Sequence, residues 1–353
     1  MSVHSRKKEK SRRFALKINI AKVIKLITYI VAFVFALIVV IPTIITYLYG
    51  NISTSYALIY ENSATNIGAS RTFVQTYVEI YKTIIPEFNI DIDVNINIDQ
   101  FEDYLVRVAA AEMYISFEME ALKAQVIAAR TFALWQINRR GNIPIEYIGQ
   151  AFLTDEEMLE RFGANLGSAY ARLREAVDGT RGKVIVHNDQ LIEAVFHATS
   201  GGFTEYSQNF WIEARPYLVT VESRGDEHAP GFLASRQIDR YEAVTLLQQR
   251  LGRQLPHDVS IDITSRSRAG YVMEVFIDGS SLTGRQIREL FHLRSSNFTV
   301  YNNEGNITFV TRGYGHGVGM SQNGANYMAR NGSNHIEILQ HFYNNVEIVR
   351  IYE

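Results

Sequence analysis

Residues Leu26 to Tyr49 form an unbroken stretch without a charged side chain, and no other feature limits the possible folds of the chain as strongly. A helix of these 24 residues would be roughly 36 Å long, more than the apolar core of a bilayer, about 30 Å. The stretch therefore predicts one transmembrane helix over 26–49. A buried core helix and a cleaved signal peptide are the alternatives. A signal peptide normally has a shorter apolar region, and no small-x-small cleavage site closely follows Tyr49.

The distribution of charge predicts the orientation of this helix. The tail 1–25 holds nine Lys or Arg residues and one acidic residue. The positive-inside rule places such a tail in the cytoplasm and everything after Tyr49 outside the cell membrane. Removing the tail from the 35 basic and 37 acidic residues of the whole chain leaves 26 and 36, a net charge of −10. A body this acidic argues against nucleic acid as a partner.

The chain has no cysteine. Disulfides, thiol nucleophiles and thiolate metal sites are therefore excluded. His335 and His341 lack a carboxylate ligand pattern near them, which makes zinc-dependent hydrolysis a poor interpretation. We expect neither a metal nor a cofactor.

The region beyond the predicted membrane helix divides into two parts. Residues 50–88 are expected to form a stalk, and residues 89–353 an extracytoplasmic region with two candidate subdomains, about 89–235 and 236–353. Helical and strand patterns mix there without βαβ regularity, so we predict an α+β fold after a single N-terminal transmembrane helix. Alternating polar and apolar residues predict a strand over 89–98.

Two helices are predicted around Glu112. Asp99, with a glutamate three residues later, resembles a capping box and predicts a helix from Gln100 to about Ala111. Ser116 is a second start signal, and apolar residues then recur every three or four positions up to Ile137. We therefore expect Glu112 at the junction between two helices.

A hairpin is predicted around Asn188-Asp189, because apolar runs flank this turn pair. The hairpin leads His197 and Ser200 to a Gly-Gly turn. Three residues apart on a strand, these two side chains face opposite sides, which makes a nucleophilic triad an unfavourable interpretation. Further helices are predicted over 164–177, 241–251 and 283–293, and further strands over 259–264, 271–277 and 307–311.

Four segments, in this order, resemble the stage II sporulation protein D family, which also includes the amidase-enhancer proteins. They are AAAEMYISFEMEALKAQVIAARTFAL (109–134), FHATSGGFTEYSQNFW (196–211) with Pro-Tyr-Leu at 216–218, the weaker GRQIRELFHLRSSNFTV (284–300), and GYGHGVGMSQNGANYMA (313–329). The family usually has proline where this chain has Tyr114.

The resemblance implies a lytic transglycosylase of the cell wall. Such enzymes act on peptidoglycan glycan strands whose stem peptides a partner amidase has removed, during engulfment of the forespore in sporulation. Expected partners are that amidase, other engulfment membrane proteins and the membrane itself. The alternative is a non-catalytic protein that binds and activates a cell-wall amidase. Some relatives hold zinc through cysteines near the Ser-Gly-Gly segment, and this chain has none of them.

Glu112 matches the catalytic glutamate of the family. Its mostly small apolar neighbours are expected to desolvate the carboxyl group and raise its pKa, although the pattern alone favours a surface glutamate at a helix end. Alternatives stay open elsewhere: a structural ion pair for Arg130, a core position for Tyr217, and a structural turn for the glycines of 313–319. The predicted substrate-binding residues are Arg130, Ser200, Tyr217, His316 and Gln322.

Overall fold

The computed structural model describes residues 97–140, 148–211 and 213–353. The predicted tail, membrane helix and stalk lie outside these residues, as does the predicted strand except for its last two positions. Among the residues described, no helix is long and apolar enough to cross a membrane. The residues that the structure describes all belong to one compact unit.

Helices and short, mostly antiparallel sheets alternate along this unit, which confirms the prediction of a mixed α and β fold. The helices are α1 (Ile98–Glu112), α2 (Met119–Arg140), α3 (Asp155–Phe162), α4 (Leu166–Asp178), α5 (Ser207–Phe210), α6 (Arg240–Leu251), α7 (Gly284–Leu290), α8 (Gln322–Arg330) and α9 (His335–Phe342). The strands are β1 (Lys183–His187), β2 (Gln190–Leu191), β3 (Phe196–His197), β4 (Leu233–Asp239), β5 (Asp262–Arg266), β6 (Val272–Ile277), β7 (Ser280–Thr283), β8 (Phe298–Asn302), β9 (Asn306–Arg312), β10 (Met320–Ser321) and β11 (Glu347–Arg350).

The boundaries of α1 and α2 differ from the predicted ones. Asn97, not Asp99, caps α1, because Asn97 has an extended backbone and its side chain accepts a hydrogen bond from the Gln100 amide. The helix therefore begins at Ile98, within the predicted strand, and Asp99 lies in its first turn. α2 begins at Met119, three residues after Ser116. The prediction for Glu112 is confirmed, since it is the last residue of α1 and Met113 is extended.

α2 lies at the centre of the first hydrophobic core. It packs against α1, α4, α8, α9 and β1. Its alanines, including Ala121, Ala124 and Ala128, are fully buried and allow these neighbours to approach closely. The predicted hairpin is confirmed beside it: β1 and β2 pair antiparallel, and Asn188 and Asp189 both have positive φ, as a type I′ turn requires.

A second hydrophobic core lies among β4 to β9, α6 and α7, and it runs from Ile238 to Phe309. Two three-stranded antiparallel sheets, β4-β9-β8 and β5-β6-β7, surround it. The first core takes residues from 101–218 and again from 318–346, so the end of the chain returns to it. The strongest link is β11, which pairs antiparallel with β1.

The glycine-rich run after β9 packs against the chain itself. Gly313 and Gly319 have positive φ, and an added Cβ would lie 2.6 Å from the Ser200 carbonyl oxygen and 2.1 Å from that of Val195, respectively. Such contacts admit only glycine. The close approach lets β10 pair parallel with β3, Ser321 opposite His197. At these two glycines, the structure therefore shows a structural turn, which was one of the alternatives for the run 313–319.

Candidate active site

The Glu112 carboxyl group lies half-buried where α1 ends. Its Oε2 accepts a hydrogen bond of 3.3 Å from the side-chain amide of Gln322. Burial raises the pKa of Glu112 above its ordinary value, and the Gln322 hydrogen bond and the Arg161 charge oppose this rise without cancelling it. The group is therefore better suited than an exposed glutamate to hold and deliver a proton near neutral pH.

Gln322 is positioned by the start of α8. Ser321 caps this helix, its hydroxyl accepting from the Gly324 amide. The Gln322 amide also lies 3.5 Å from Oε1 of Gln125, a fully buried residue of α2. The amide is thus held between α1 and α2, with one contact to Glu112 on α1 and one to Gln125 on α2.

Asp226, which the sequence did not single out, joins two of the matched segments. The side chain is fully buried, and burial raises its pKa. One carboxyl oxygen accepts from the Ser321 hydroxyl at 2.8 Å, and the other accepts from the backbone amide of Ser200 at 2.8 Å. Asp226 therefore ties the Ser-Gly-Gly turn to the cap of the helix that carries Gln322.

Helix α3 contacts the end of α1 next to Glu112. Arg161, in the last turn of α3, donates a hydrogen bond of 3.1 Å from Nη1 to the carbonyl oxygen of Ala111, the residue before Glu112. Two turns earlier on α1, the Tyr104 hydroxyl donates to Gln150, and burial and the Glu112 charge raise the pKa of this tyrosine. The side chains that act on the pKa of the Glu112 carboxyl are therefore an amide and a guanidinium, and neither is a second carboxylate.

Comparison with known proteins places this site in a family. A family model described as stage II sporulation protein matches residues 93–187. The stage II sporulation protein D of Bacillus amyloliquefaciens is 40% identical over 256 residues, which cover 70% of this chain and 73% of that protein. The chain belongs to the stage II sporulation protein D family. The Bacillus subtilis protein of the same name is 35% identical over 256 residues, with 70% and 74% covered. The amidase enhancer of Bacillus subtilis is a more distant relative of the family member described here, 28% identical over 283 residues, 66% of this chain and 38% of that protein.

Arg130, a predicted substrate-binding residue in the segment matched to the family, is completely buried. Its Nε and Nη2 donate to the two carboxylate oxygens of Glu102 at 2.9 and 2.7 Å, and its Nη1 donates to the Lys183 carbonyl oxygen at 3.1 Å. The structure shows the alternative that the sequence left open, a structural ion pair, and leaves no part of the guanidinium on a surface that a glycan can reach.

Ser200 and Tyr217 are also buried. Besides its backbone contact with Asp226, Ser200 accepts a hydrogen bond on its hydroxyl from the Gly202 amide. The Tyr217 side chain packs in the first core, and its hydroxyl accepts from the Glu193 amide at 3.1 Å. Both side chains therefore have structural contacts in this conformation.

His316 is half-buried and lies in an aromatic cluster. Its ring centroid is 5.6 Å from that of His197, 5.5 Å from Phe210 and 5.3 Å from Trp211. The cluster borders a small cleft that Arg285 also lines. Of the five predicted substrate-binding residues, Gln322 is the one that the structure shows hydrogen-bonded to Glu112.

No cluster of three or more His, Asp or Glu side chains that could hold a metal ion occurs in the described ranges. His197 is buried, its Nδ1 bonded to the Val318 carbonyl oxygen, and burial lowers its pKa to about 4. With no cysteine in the chain, the residues around Ser200 offer no thiolate ligand for a metal ion.

Proposed function

We propose that this family member is a lytic transglycosylase that cleaves the glycan strands of peptidoglycan, with Glu112 as its single general acid and base. One observation carries the proposal: the carboxyl group that matches the family's catalytic glutamate is half-buried, has a raised pKa and is oriented by Gln322. A hydrolase normally needs two carboxylates. A transglycosylase can use one twice, because the substrate supplies its own nucleophile.

In the first step, protonated Glu112 donates its proton to the oxygen that links muramic acid C1 to the next sugar. Gln322 donates to Oε2, so the transferred proton is carried by Oε1. The C1–O bond breaks, and the leaving sugar departs as a neutral alcohol, which lowers the barrier to cleavage. Positive charge develops on the muramic acid ring, and the newly ionised carboxylate lies close enough to stabilise it.

In the second step, the Glu112 carboxylate acts as a base. It removes the proton from the 6-hydroxyl of the same muramic acid, and O6 bonds to C1. The product is 1,6-anhydro-muramic acid, no water is consumed, and Glu112 regains the proton that it gave. Burial raises the pKa of Glu112 above that of an exposed carboxyl group. A raised pKa suits both steps, because the group can then hold a proton near neutral pH and, once ionised, is a stronger base.

The biological setting belongs to the same proposal. The names of the relatives support a role in sporulation, and the similarity to an amidase enhancer supports a cell-wall amidase as a partner. In this proposal the enzyme acts on strands from which that amidase has removed the stem peptides, together with other engulfment membrane proteins. The uncharged stretch 26–49 after a basic tail supports a single membrane anchor, with the tail in the cytoplasm and the bulk of the chain outside.

The test is mass spectrometry of the products after the full chain digests peptide-free glycan strands. We expect anhydro-muramic acid ends from the wild type and none from Glu112→Gln, which keeps the shape of the side chain but cannot transfer a proton. Glu160→Gln, an exposed position on α3, is the matched control and should cleave normally. Reducing ends instead of anhydro ends would show a hydrolase and require a second carboxylate.

A second candidate function is the activation of a cell-wall amidase, which the similarity to the amidase enhancer favours. The variant Glu112→Gln distinguishes glycan cleavage from amidase activation. If both are present, this variant loses glycan cleavage and still stimulates the amidase. If folded wild-type protein produces no ends of either kind, activation becomes the better description of the chain.

A further inference from the structure

Arg161 lies beside Glu112, yet the chemistry of a general acid does not explain it. A positive charge at this place lowers the pKa of Glu112 and so works against proton donation. The side chain is exposed, so core packing does not account for it either. Its hydrogen bond to the Ala111 carbonyl oxygen positions the guanidinium but does not explain why a positive charge lies next to the acid.

The guanidinium of Arg161 makes two contacts within residues 97–140, 148–211 and 213–353. Nη1 donates a hydrogen bond to the Ala111 carbonyl oxygen, and the central carbon lies 5.9 Å from the centroid of the Phe162 ring. Among these residues, Arg161 forms no ion pair that would occupy Nε or Nη2. Glu157, one turn earlier, would be the natural partner, but its carboxylate closes the capping box with Thr154. Nε and Nη2 therefore remain as a parallel pair of donors, the arrangement that binds a carboxylate with two hydrogen bonds.

The substrate of the proposed reaction carries one carboxylate on the sugar ring that is cleaved. Muramic acid bears a lactyl ether on C3, and its carboxyl group is free and negative only where no stem peptide is attached. Where a peptide is present, the same carbon is a neutral amide. The ring that is attacked at C1 must lie beside Glu112, and this lactyl group is a substituent of that ring.

We propose that Arg161 binds the free lactyl carboxylate of the muramic acid at the cleavage point and thereby selects strands without stem peptides. This inference rests on the proposed function and adds a specificity-determining residue to it. A strand with the peptide attached offers an amide, which cannot pair with the guanidinium as an ion. The bound carboxylate also neutralises the positive charge of Arg161, which lowers the pKa of Glu112. Binding of a peptide-free strand therefore raises the pKa of Glu112 and favours its protonated form.

The experiment measures binding without turnover, with all variants made in the Glu112→Gln full chain. Two probes are used: peptide-free glycan strands, and the same strands with the lactyl carboxyl converted to a methylamide. Methylamidation should weaken binding about tenfold to a hundredfold, the usual effect of losing a charge-assisted pair. Adding Arg161→Gln should weaken binding of the free acid by a similar factor and leave the methylamide almost unchanged, while Arg161→Lys should keep part of the preference.

Arg250→Gln is the matched control, since Arg250 is likewise exposed in the last turn of a helix, α6. It should bind both probes as the parent does. If methylamidation weakens binding equally with and without Arg161, the inference is overturned. Failure of the proposed function gives a different result. If the wild-type protein binds the free acid through Arg161 but releases no anhydro ends, the transglycosylase activity is refuted, whereas the recognition of the carboxylate by Arg161 is retained.

Discussion

Replacing Arg130 by methionine should destabilise the fold strongly, because it leaves a carboxylate buried without its cation. Arg130 and Glu102 are both fully buried, and the guanidinium makes three hydrogen bonds, two of them to Glu102. After the change, Glu102 keeps the Tyr352 hydroxyl as its partner. Breaking a buried pair in this way costs about 3–5 kcal/mol, a large part of the roughly 5–15 kcal/mol that holds a typical domain together.

The assay is urea denaturation of the full chain, followed by the fluorescence of Trp135 and Trp211. We expect a clearly lower midpoint for Arg130→Met. The double variant Arg130→Met/Glu102→Leu should recover most of the loss, since removing both charges leaves no buried ion.

If Arg130→Met loses less than about 1 kcal/mol while binding of peptide-free strands disappears, Arg130 contacts the substrate and the buried ion pair is not its main role. If the double variant is no more stable than the single one, the cost does not come from an unpaired Glu102.

Three further predictions concern Asp226, Gly319 and His197. Asp226→Asn should lower stability by about 1–3 kcal/mol, because the two hydrogen bonds go to different carboxyl oxygens and an amide keeps only one of them as an acceptor, and it should lower kcat of the proposed glycan cleavage; unchanged urea midpoints would contradict this. Gly319→Ala should destabilise the fold by more than about 1 kcal/mol, because φ is positive and the new Cβ would clash with the Val195 carbonyl oxygen. Thermal denaturation measures the loss. Gly332→Ala is the control, since φ is also positive there but a Cβ would meet open space, so that only backbone strain contributes. Burial lowers the pKa of His197 from its ordinary 6.5 to about 4 and that of the neighbouring His316 to about 3, so the unfolded chain takes up protons first as the pH falls; between pH 7.5 and pH 5 His197 should cost about 2 kcal/mol of stability and His316 should add to this loss, and equal urea midpoints at pH 7.5 and 5 would contradict the burial.

Local signals predicted the local structure well. The turn pair Asn188-Asp189 fixed the hairpin, because few residues accept positive φ at both turn positions. The helix start near Asp99 was misplaced by two residues because Asn97 is an equally good cap and has the extended backbone that a cap needs. Sequence spacing cannot distinguish two such residues two positions apart.

Contacts between distant parts of the chain could not be predicted from the pattern. The partner of Arg130 lies 28 residues earlier, on another helix. Asp226 stands in a polar loop, and no local pattern marks it as the residue that joins Ser200 to Ser321. The resemblance to the family pointed to Glu112 and Gln322 separately, and only the fold shows them in contact.

The hydrogen bond between Glu112 and Gln322 spans 210 positions of the chain, and this separation has a consequence for the protein as it is being made. A ribosome adding about 5–20 residues per second finishes the glutamine roughly 10 to 40 s after the glutamate. Throughout that interval the nascent polypeptide carries the acid without the amide that orients it. The strand that closes the first sheet, Glu347–Arg350, arrives later still. A chain released before Gln322 has been added therefore has Glu112 without the amide that orients it.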